Sequence, residues 1–461
     1  MLTLQAFGAV DEVGRSSFLL TDGESRILLD SGVKILPKSR GERSQGPYGV
    51  DKIASELDAV VLSHAHLDHS GYIPALFRAG FDGPVYMTSP TADIVKLLWK
   101  DHLKIEGPYH YSLEHLLKAV DNIQTTGYRV KKNLVNGISF KFFDAGHVLG
   151  SASIYIDWDG TTVLYTGDIN NQKTPFFDPV EVPDPDKESV NVLITETTNA
   201  GRNIPPRKEV ISKFTKAILK TYSRDGKTLI PAFALGRSQE VEYYLLDKLD
   251  GFVGQKMPFW VDGMIQDMNS IYEKYFKSLW VSKRAIDFCK DRGYAKPFDF
   301  PELKQIRIEP KKQNTDGFRR DLVENDEKAI ILTTSGMMEG GPIHSYLRYG
   351  GLDSKSLLAI VGYQVEGTIG HEIAAGKRDF QVKTPWNTQF ELNLRLEVQR
   401  FQFSGHISQK GLESYIQLVR PEKIIAIHGN TGAIDHYRNK AANLGYTVET
   451  TEEEKVHVLS D

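Results

Sequence analysis

The chain has 461 residues, 40% of them apolar and 25% charged, with 56 Lys and Arg against 60 Asp and Glu. That length exceeds what one hydrophobic core organises, so two or three lobes are expected, and the composition excludes long disordered stretches. The single cysteine, Cys289, excludes an internal disulfide. It fits a reducing compartment such as the cytoplasm, and no apolar run approaches the ~20 residues of a membrane helix.

In chain order, short β-branched and aromatic runs separated by Gly or Asp turns predict strands at Leu2–Phe7, Ser17–Thr21, Arg26–Leu29 and Ala59–Leu62. Helical periodicity follows at Tyr72–Arg78 and Thr91–Leu103, then strands at Ile138–Phe143, Ser153–Trp158, Thr162–Tyr165 and Val190–Thr195. Pro205 and Pro206 open a long helix with Val210, Phe214, Ala217 and Ile218 on one face. From there strands alternate with helices, at Thr228–Pro231, Ser238–Leu249, Pro258–Val261, Met264–Phe276, Ala329–Thr333 and Leu357–Val361, the pattern of a parallel α/β lobe. After about residue 385 a long strand is expected at Phe390–Phe403, then a helix, the strand Lys423–Ile427, a helix and a short terminal strand. The simplest arrangement inserts the middle, 199–385, into a domain formed by 1–198 and 386–461.

The net charge of −4 conceals a split. Residues 199–385 hold 30 basic and 24 acidic side chains, net +6, which leaves −10 on the flanks. A basic lobe can receive a phosphate backbone while an acidic flank concentrates cations.

The densest chemical signal is His64-Ala65-His66-Leu67-Asp68-His69, directly after an apolar strand. Imidazole and carboxylate are ligands that suit zinc at neutral pH, and a loop leaving a strand can turn alternate side chains toward one point. Asp30, His147 and Asp168 each follow an apolar strand. Singly they read as turn formers; together they supply the ligands the first cluster lacks. Seven other histidines, His102, His110, His115, His344, His371, His436 and His457, have no such neighbours and are expected to be surface or structural residues.

The His-x-His-x-Asp-His loop, the later single His and the Tyr-Thr-Gly-Asp strand end resemble, in that order, the metallo-β-lactamase superfamily. Thr195-Glu196-Thr197-Thr198, Ser404-Gly405-His406 and Ile427-His428-Gly429 are similar to motifs A, B and C of its β-CASP nucleases. The Gly236-Arg237-Ser238-Gln239 and Thr334-Ser335-Gly336-Met337-Met338 runs look most like those of the nuclease subunit of the cleavage and polyadenylation specificity factor, and RNase J relatives are also compatible. The resemblance implies an α/β chain: an αββα sandwich with a β-CASP lobe inserted and two Zn²⁺ ions at one edge of the sheets. His64, His66 and His147 are then expected to hold one zinc and Asp68, His69 and His428 the other, with Asp168 bridging and Asp30 behind them orienting a ligand. A histidine at motif C favours RNA over DNA. The partner implied is RNA, with no membrane, and a homodimer is compatible.

Paired divalent ions can clamp both sides of an in-line phosphodiester displacement. By the same resemblance Asp68, His406 and Glu196 are the expected catalytic residues: Asp68 orients the attacking water, and His406 donates a proton to the leaving oxygen while Glu196 fixes its tautomer. For substrate binding, Arg237 and Ser238 stand where a strand gives way to a helix, a place that attracts phosphate. Ser335 and Gly336 form a second expected phosphate cradle. Lys311, Lys312, Arg319 and Arg320 punctuate a loop, either solvated or in contact with substrate. Endonucleolytic and 5′-to-3′ exonucleolytic modes both stay open. The rivals are a silent scaffold subunit of an RNA-processing complex and a small-molecule metallo-hydrolase. The first would lose metal ligands; the second has no need of the motifs at Glu196, His406 and His428.

Overall fold

The computed structural model describes residues 1–37, 41–253, 256–306, 314–383 and 389–460. Two seven-stranded sheets face each other. The first runs in the order Val456–Ser460, Leu2–Gly8, Ser17–Thr21, Arg26–Leu29, Ala59–Val61, Val85–Thr88, Ile123–Thr126. The second runs Val448–Thr450, Lys423–Ile427, Val192–Glu196, Thr161–Tyr165, Ala152–Trp158, Ser139–Asp144, Lys132–Asn133. The period-two alternation of strand side chains sorts the apolar residues into layers. Leu4, Phe18, Leu20, Ile27, Leu29 and Val61 of the first sheet meet Phe140, Ile154, Ile156, Val163, Ile194 and Ile425 of the second in one buried core. The alternate residues point outward. Leu28 and Val60 pack under Ile73–Arg78 and Ser89–Glu106, and Leu193 and Ile424 pack under Gln409–Val419 and Thr431–Ala442. The result is the αββα sandwich expected from sequence.

The middle lobe has its own six-stranded sheet, Leu303–Gln305, Phe259–Asp262, Ile330–Thr333, Thr228–Pro231, Leu357–Ile360, Glu397–Arg400. All of its pairings are parallel, as the strand–helix alternation predicts. Helices cover both faces. Val210, Phe214, Leu245 and Met268 lie on one side, and Leu322, Tyr346 and Ile369 on the other.

Two expectations change. The single strand read over Phe390–Phe403 is two: Gln389–Asn393 pairs with Asp379–Lys383 in a hairpin, while Glu397–Arg400 forms the edge of the middle sheet. The break has a cause, because the N–H groups of Leu394, Arg395 and Leu396 donate to Arg378 O and Gly351 O instead of to a strand. The middle sheet therefore takes a strand from beyond residue 385. Arg319 and Arg320 lie on a helix, Thr315–Glu324, and not in a loop. Arg319 binds Asp262 at 2.7 Å, so it is structural; Arg320 is exposed beside Asp321 and Glu324. Lys311 and Lys312 fall outside the described residues. His102 is buried, with Nδ1 3.0 Å from the Tyr111 hydroxyl and Nε2 3.1 Å from Ser44 Oγ, which makes it a structural histidine. No helix among the described residues is long and apolar enough to cross a membrane.

Candidate metal centre

Parallel pairing explains why distant residues meet. Arg26–Leu29 runs parallel to Ala59–Val61, and Thr161–Tyr165, Val192–Glu196 and Lys423–Ile427 are mutually parallel. Their C-terminal ends thus share one edge of the sandwich, and Asp30, His64, Asp168, Glu196 and His428 stand at those ends. Asp30 and His428 take the left-handed conformation, φ 58° and 51°, which turns each sharply out of its strand. The His66–Ser70 turn packs against the loop after Asp30 so closely that a Cβ on Gly32 would come 1.8 Å from Asp68 O. Only glycine fits there.

His64, His66, His147 and Asp168 form one cluster able to hold a cation, and Asp68, His69, Asp168 and His428 form a second. Asp168, Glu196 and His406 form a third. Asp168 belongs to all three. Its Oδ2 lies 3.6 Å from His64 Nε2 and 3.7 Å from His147 Nε2, while its Oδ1 lies 3.4 Å from both His69 Nε2 and His428 Nδ1. Asp68 Oδ2 completes the second cluster, 3.6 Å from His428 Nε2 and 3.9 Å from His69 Nε2.

Three histidines are anchored through the ring nitrogen that faces away from the cage. His69 Nδ1 donates to Asp30 Oδ2 at 2.7 Å and His147 Nδ1 to Gly405 O at 2.8 Å. Ser63 Oγ spends its proton on Asp30 Oδ2, so it accepts from His64 Nδ1 at 3.1 Å. Thr198 Oγ1 donates to His428 O and accepts from His428 Nδ1, both at 3.1 Å. For His64, His69 and His147 the bond leaves Nε2 turned inward, the arrangement that orients imidazoles on a metal, while His428 presents both nitrogens to cage carboxylates, Nδ1 to Asp168 and Nε2 to Asp68. Asp30 also receives the Tyr165 hydroxyl at 2.6 Å and Ser63 N at 2.7 Å, so one buried carboxylate braces three neighbours.

The residues fit a cation. His64 Nε2 and His147 Nε2 each approach His66 Nδ1, at 3.1 and 3.2 Å. With the first two bare, these nitrogens cannot all satisfy one another by hydrogen bonds. Asp168 Oδ1 and His428 Nε2 are buried without any hydrogen-bond partner, a costly state that a positive ion relieves. Burial, with neighbouring imidazoles, holds His64 well below its ordinary pKa, and burial does the same for His147. Neutral imidazole is the form that ligates. Burial also depresses His69, but the charge and hydrogen bond of Asp168, with Asp30 and Asp68, carry it well above its ordinary value. Asp168 is held well below the carboxylate range because His428, His69 and His406 outweigh its burial.

Beside the cage, His406 Nδ1 sits 3.0 and 3.2 Å from the two oxygens of Glu196, a fully buried carboxylate that also accepts from Ile169 N at 2.8 Å. Burial lowers His406, yet Glu196 and Asp168 raise it to about 9. Gly405 is closely packed in this motif: a Cβ there would come 3.3 Å from both His147 Cε1 and Arg237 Nη2.

Arg237 therefore lies one residue's thickness from a cage histidine. It shares the Glu240 carboxylate with Arg207, whose Nη2 donates to Ser404 O at 2.6 Å, and both guanidiniums lie 5.9 Å from the Phe403 ring centre. Two buried cations on one anion leave an excess positive charge beside the cage. Burial and the neighbouring Arg207 push Arg237 down to about 9. Ser238 is fully buried and its hydroxyl donates to Ala234 O at 2.8 Å, within its own helix start. Ser335 turns both its N–H and its hydroxyl onto Gly340 O, and Gly336 backs onto the Phe233 amide. Arg207, Tyr165 and Ser63 escaped the sequence reading. Arg207 had one signal, its place in the first turn after Pro205-Pro206.

The Metallo-beta-lactamase superfamily domain model matches residues 19–198, the Beta-Casp domain model 238–373, and the model for the Zn-dependent metallo-hydrolase RNA specificity domain 391–451. An RNase J-like protein of Methanocaldococcus jannaschii is 33% identical, over 93% of this chain and 93% of its own. Transcription termination factor FttA of Methanosarcina mazei is 34% identical over 93% of this chain and 67% of its own, and the chain spans about two thirds of the length of such relatives. A crystal structure of a protein of unknown function from Enterococcus faecalis shares the fold, with TM-score 0.55 and 14% identity over 99% of each chain. A metal-ligand edge on an αββα sandwich, an inserted parallel lobe and a full-length relative place this chain in the metallo-β-lactamase superfamily, within its β-CASP branch.

Proposed function

We propose that this chain is an RNA phosphodiester hydrolase carrying two zinc ions. His64, His66, His147 and Asp168 would hold one, and Asp68, His69, His428 and the same Asp168 the other. The observation that carries the reading is Asp168, a single buried carboxylate with one oxygen turned to each histidine group. The 3.1 and 3.2 Å nitrogen separations are close to the ~3.3 Å edge of a tetrahedron with Zn–N bonds of about 2.0–2.1 Å. Relatives named RNase J-like protein and transcription termination factor, with the RNA specificity domain match, support RNA as the substrate. The lone cysteine supports a cytoplasmic setting.

Bound there, the ions supply Lewis acidity toward phosphate and water. The chain's own residues do the rest. Arg237 and Arg207 grip a phosphate against the cleft with their unbalanced charge. Asp68, whose side chain is 28% exposed where that of Asp168 is 2%, faces the cleft and orients the attacking water. His406, its Nδ1 committed to Glu196, offers Nε2 as proton donor to the leaving ribose oxygen. The middle lobe, 199–385 together with the strand at 397–400, roofs the cleft.

Incubation with end-labelled RNA bearing a 5′-monophosphate or 5′-triphosphate, with and without chelator, tests this. Chelator-sensitive products are expected, a ladder or mononucleotides marking exonuclease and a discrete cut endonuclease. Intact RNA from metal-loaded protein would remove the reading in favour of a scaffold.

A further inference from the structure

Tyr363 is one of few aromatic rings left open to solvent among the described residues, 49% exposed, and it stands where the two lobes meet. It belongs to the loop after the middle-lobe strand Leu357–Ile360, while the guanidinium over its ring, 5.8 Å from the centre, belongs to Arg202. Arg202 comes from the other side, on the segment leaving Val192–Glu196, only four residues after the Thr198 that holds His428. Four residues of extended chain span at most about 14 Å, so the pair stands within a few nucleotides of the cage.

The ring is open but its base is fixed. The buried Gln364 donates from Nε2 to Gly336 O at 2.8 Å and to Gly362 O at 3.2 Å. Gly362 rests on the Phe233 ring, which a Cβ would meet at 3.0 Å. Arg202 forms no ion pair among the described residues; the Tyr363 ring is its neighbour. An exposed, backbone-anchored aromatic beside an unpaired cation, on the rim of a phosphodiesterase cleft, has the chemistry of a nucleobase platform: every base has a π-face, and the guanidinium adds stacking and charge.

Resting on the RNA-hydrolase reading above, we infer that Tyr363, with Arg202, stacks a nucleobase of single-stranded substrate within a few nucleotides of the scissile phosphate. The site reads single-strandedness instead of sequence, because a paired base offers no free face.

Kinetics on a single-stranded oligonucleotide carrying an abasic position, moved one nucleotide at a time, test this. For the unsubstituted protein, KM should rise about tenfold at one abasic position, the order one stack supplies, with kcat unchanged. Tyr363→Ala should show that higher KM on intact RNA and no further rise at that abasic position. Tyr363→Trp should restore the original KM. Bis(p-nitrophenyl) phosphate, which carries no nucleobase, should be hydrolysed equally by all three, showing intact folding and metal centre. An unchanged KM for Tyr363→Ala, or an abasic penalty that survives in it, overturns the platform and leaves the nuclease standing. Protein that turns over the small diester but never RNA overturns the nuclease reading itself.

Discussion

His69 donates its Nδ1 proton to Asp30 at 2.7 Å, across 39 residues of chain, and that bond settles which nitrogen faces Asp168. Removing the carboxylate in Asp30→Ala also strands the Tyr165 hydroxyl and Ser63. Metal affinity should drop about 10–100-fold, measured by competition with a chromogenic chelator. An Asp30→Ala protein that holds its metal as tightly as before would contradict the bracing role.

His406 is braced by Glu196 and stands beside the two histidine groups without belonging to either, its Nδ1 3.8 Å from Asp168 Oδ2. His406→Ala should retain full metal content by elemental analysis and lose roughly 10²-fold or more in kcat on RNA. Unchanged turnover would take it out of the mechanism.

Arg207 and Arg237 converge on Glu240. Replacing either with Ala should raise KM for RNA and reduce the slope of log affinity against log salt by about 0.7, one phosphate contact on a single strand. The double variant should lose less than the product of the two single losses, because the shared carboxylate couples them. A salt slope that does not move in either variant would exclude phosphate contact.

Glu242 is fully buried, accepts both of its hydrogen bonds from Asn269 at 3.0 Å, and is pushed up to about 8 by burial. The folded state therefore holds a proton that the unfolded chain, near 4.5, releases. Stability from this group is present below about pH 4.5 and is lost as pH rises toward 8. Glu242→Gln removes the titration, so its stability relative to the parent should climb between pH 5 and pH 8 by roughly 1–4 kcal/mol. Urea unfolding at the two pH values measures it; parallel pH profiles would refute the assignment. Asn269 also receives Gln239 Nε2 at 2.8 Å, and Gln239 Oε1 accepts the Gly236 N–H at 2.8 Å, so the same variant should perturb the turn that carries Arg237.

The cage was legible because its members announce themselves locally. His64, Asp168 and His428 each follow an apolar run, and parallel strands bring such ends together whatever their spacing. Tyr165 and Ser63 were not legible. Tyr165 reads as one more core aromatic until the fold sets its hydroxyl on an aspartate 135 positions away. Ser238 and Ser335 sat in the right motifs, but short-range bonds to Ala234 O and Gly340 O consume their donors. Arg319 belongs to a helix that Gly317 and its polar neighbours disguise, and burial against Asp262 outweighs that weak local preference.

The chain crosses between lobes twice, through 197–206 after Glu196 and through 401–408 around His406. His406 and Glu196 thus sit beside separate crossings. Asn199 laces the two crossings together, its Nδ2 donating to Ser404 Oγ at 2.8 Å and to His406 O at 3.2 Å, and Ile407 N pins the second to Ile169 O of the sandwich at 2.7 Å. The 3.0 Å pairing of Glu196 with His406 is thus fastened at the root of both crossings, so a change in either passage of chain reaches that pair directly.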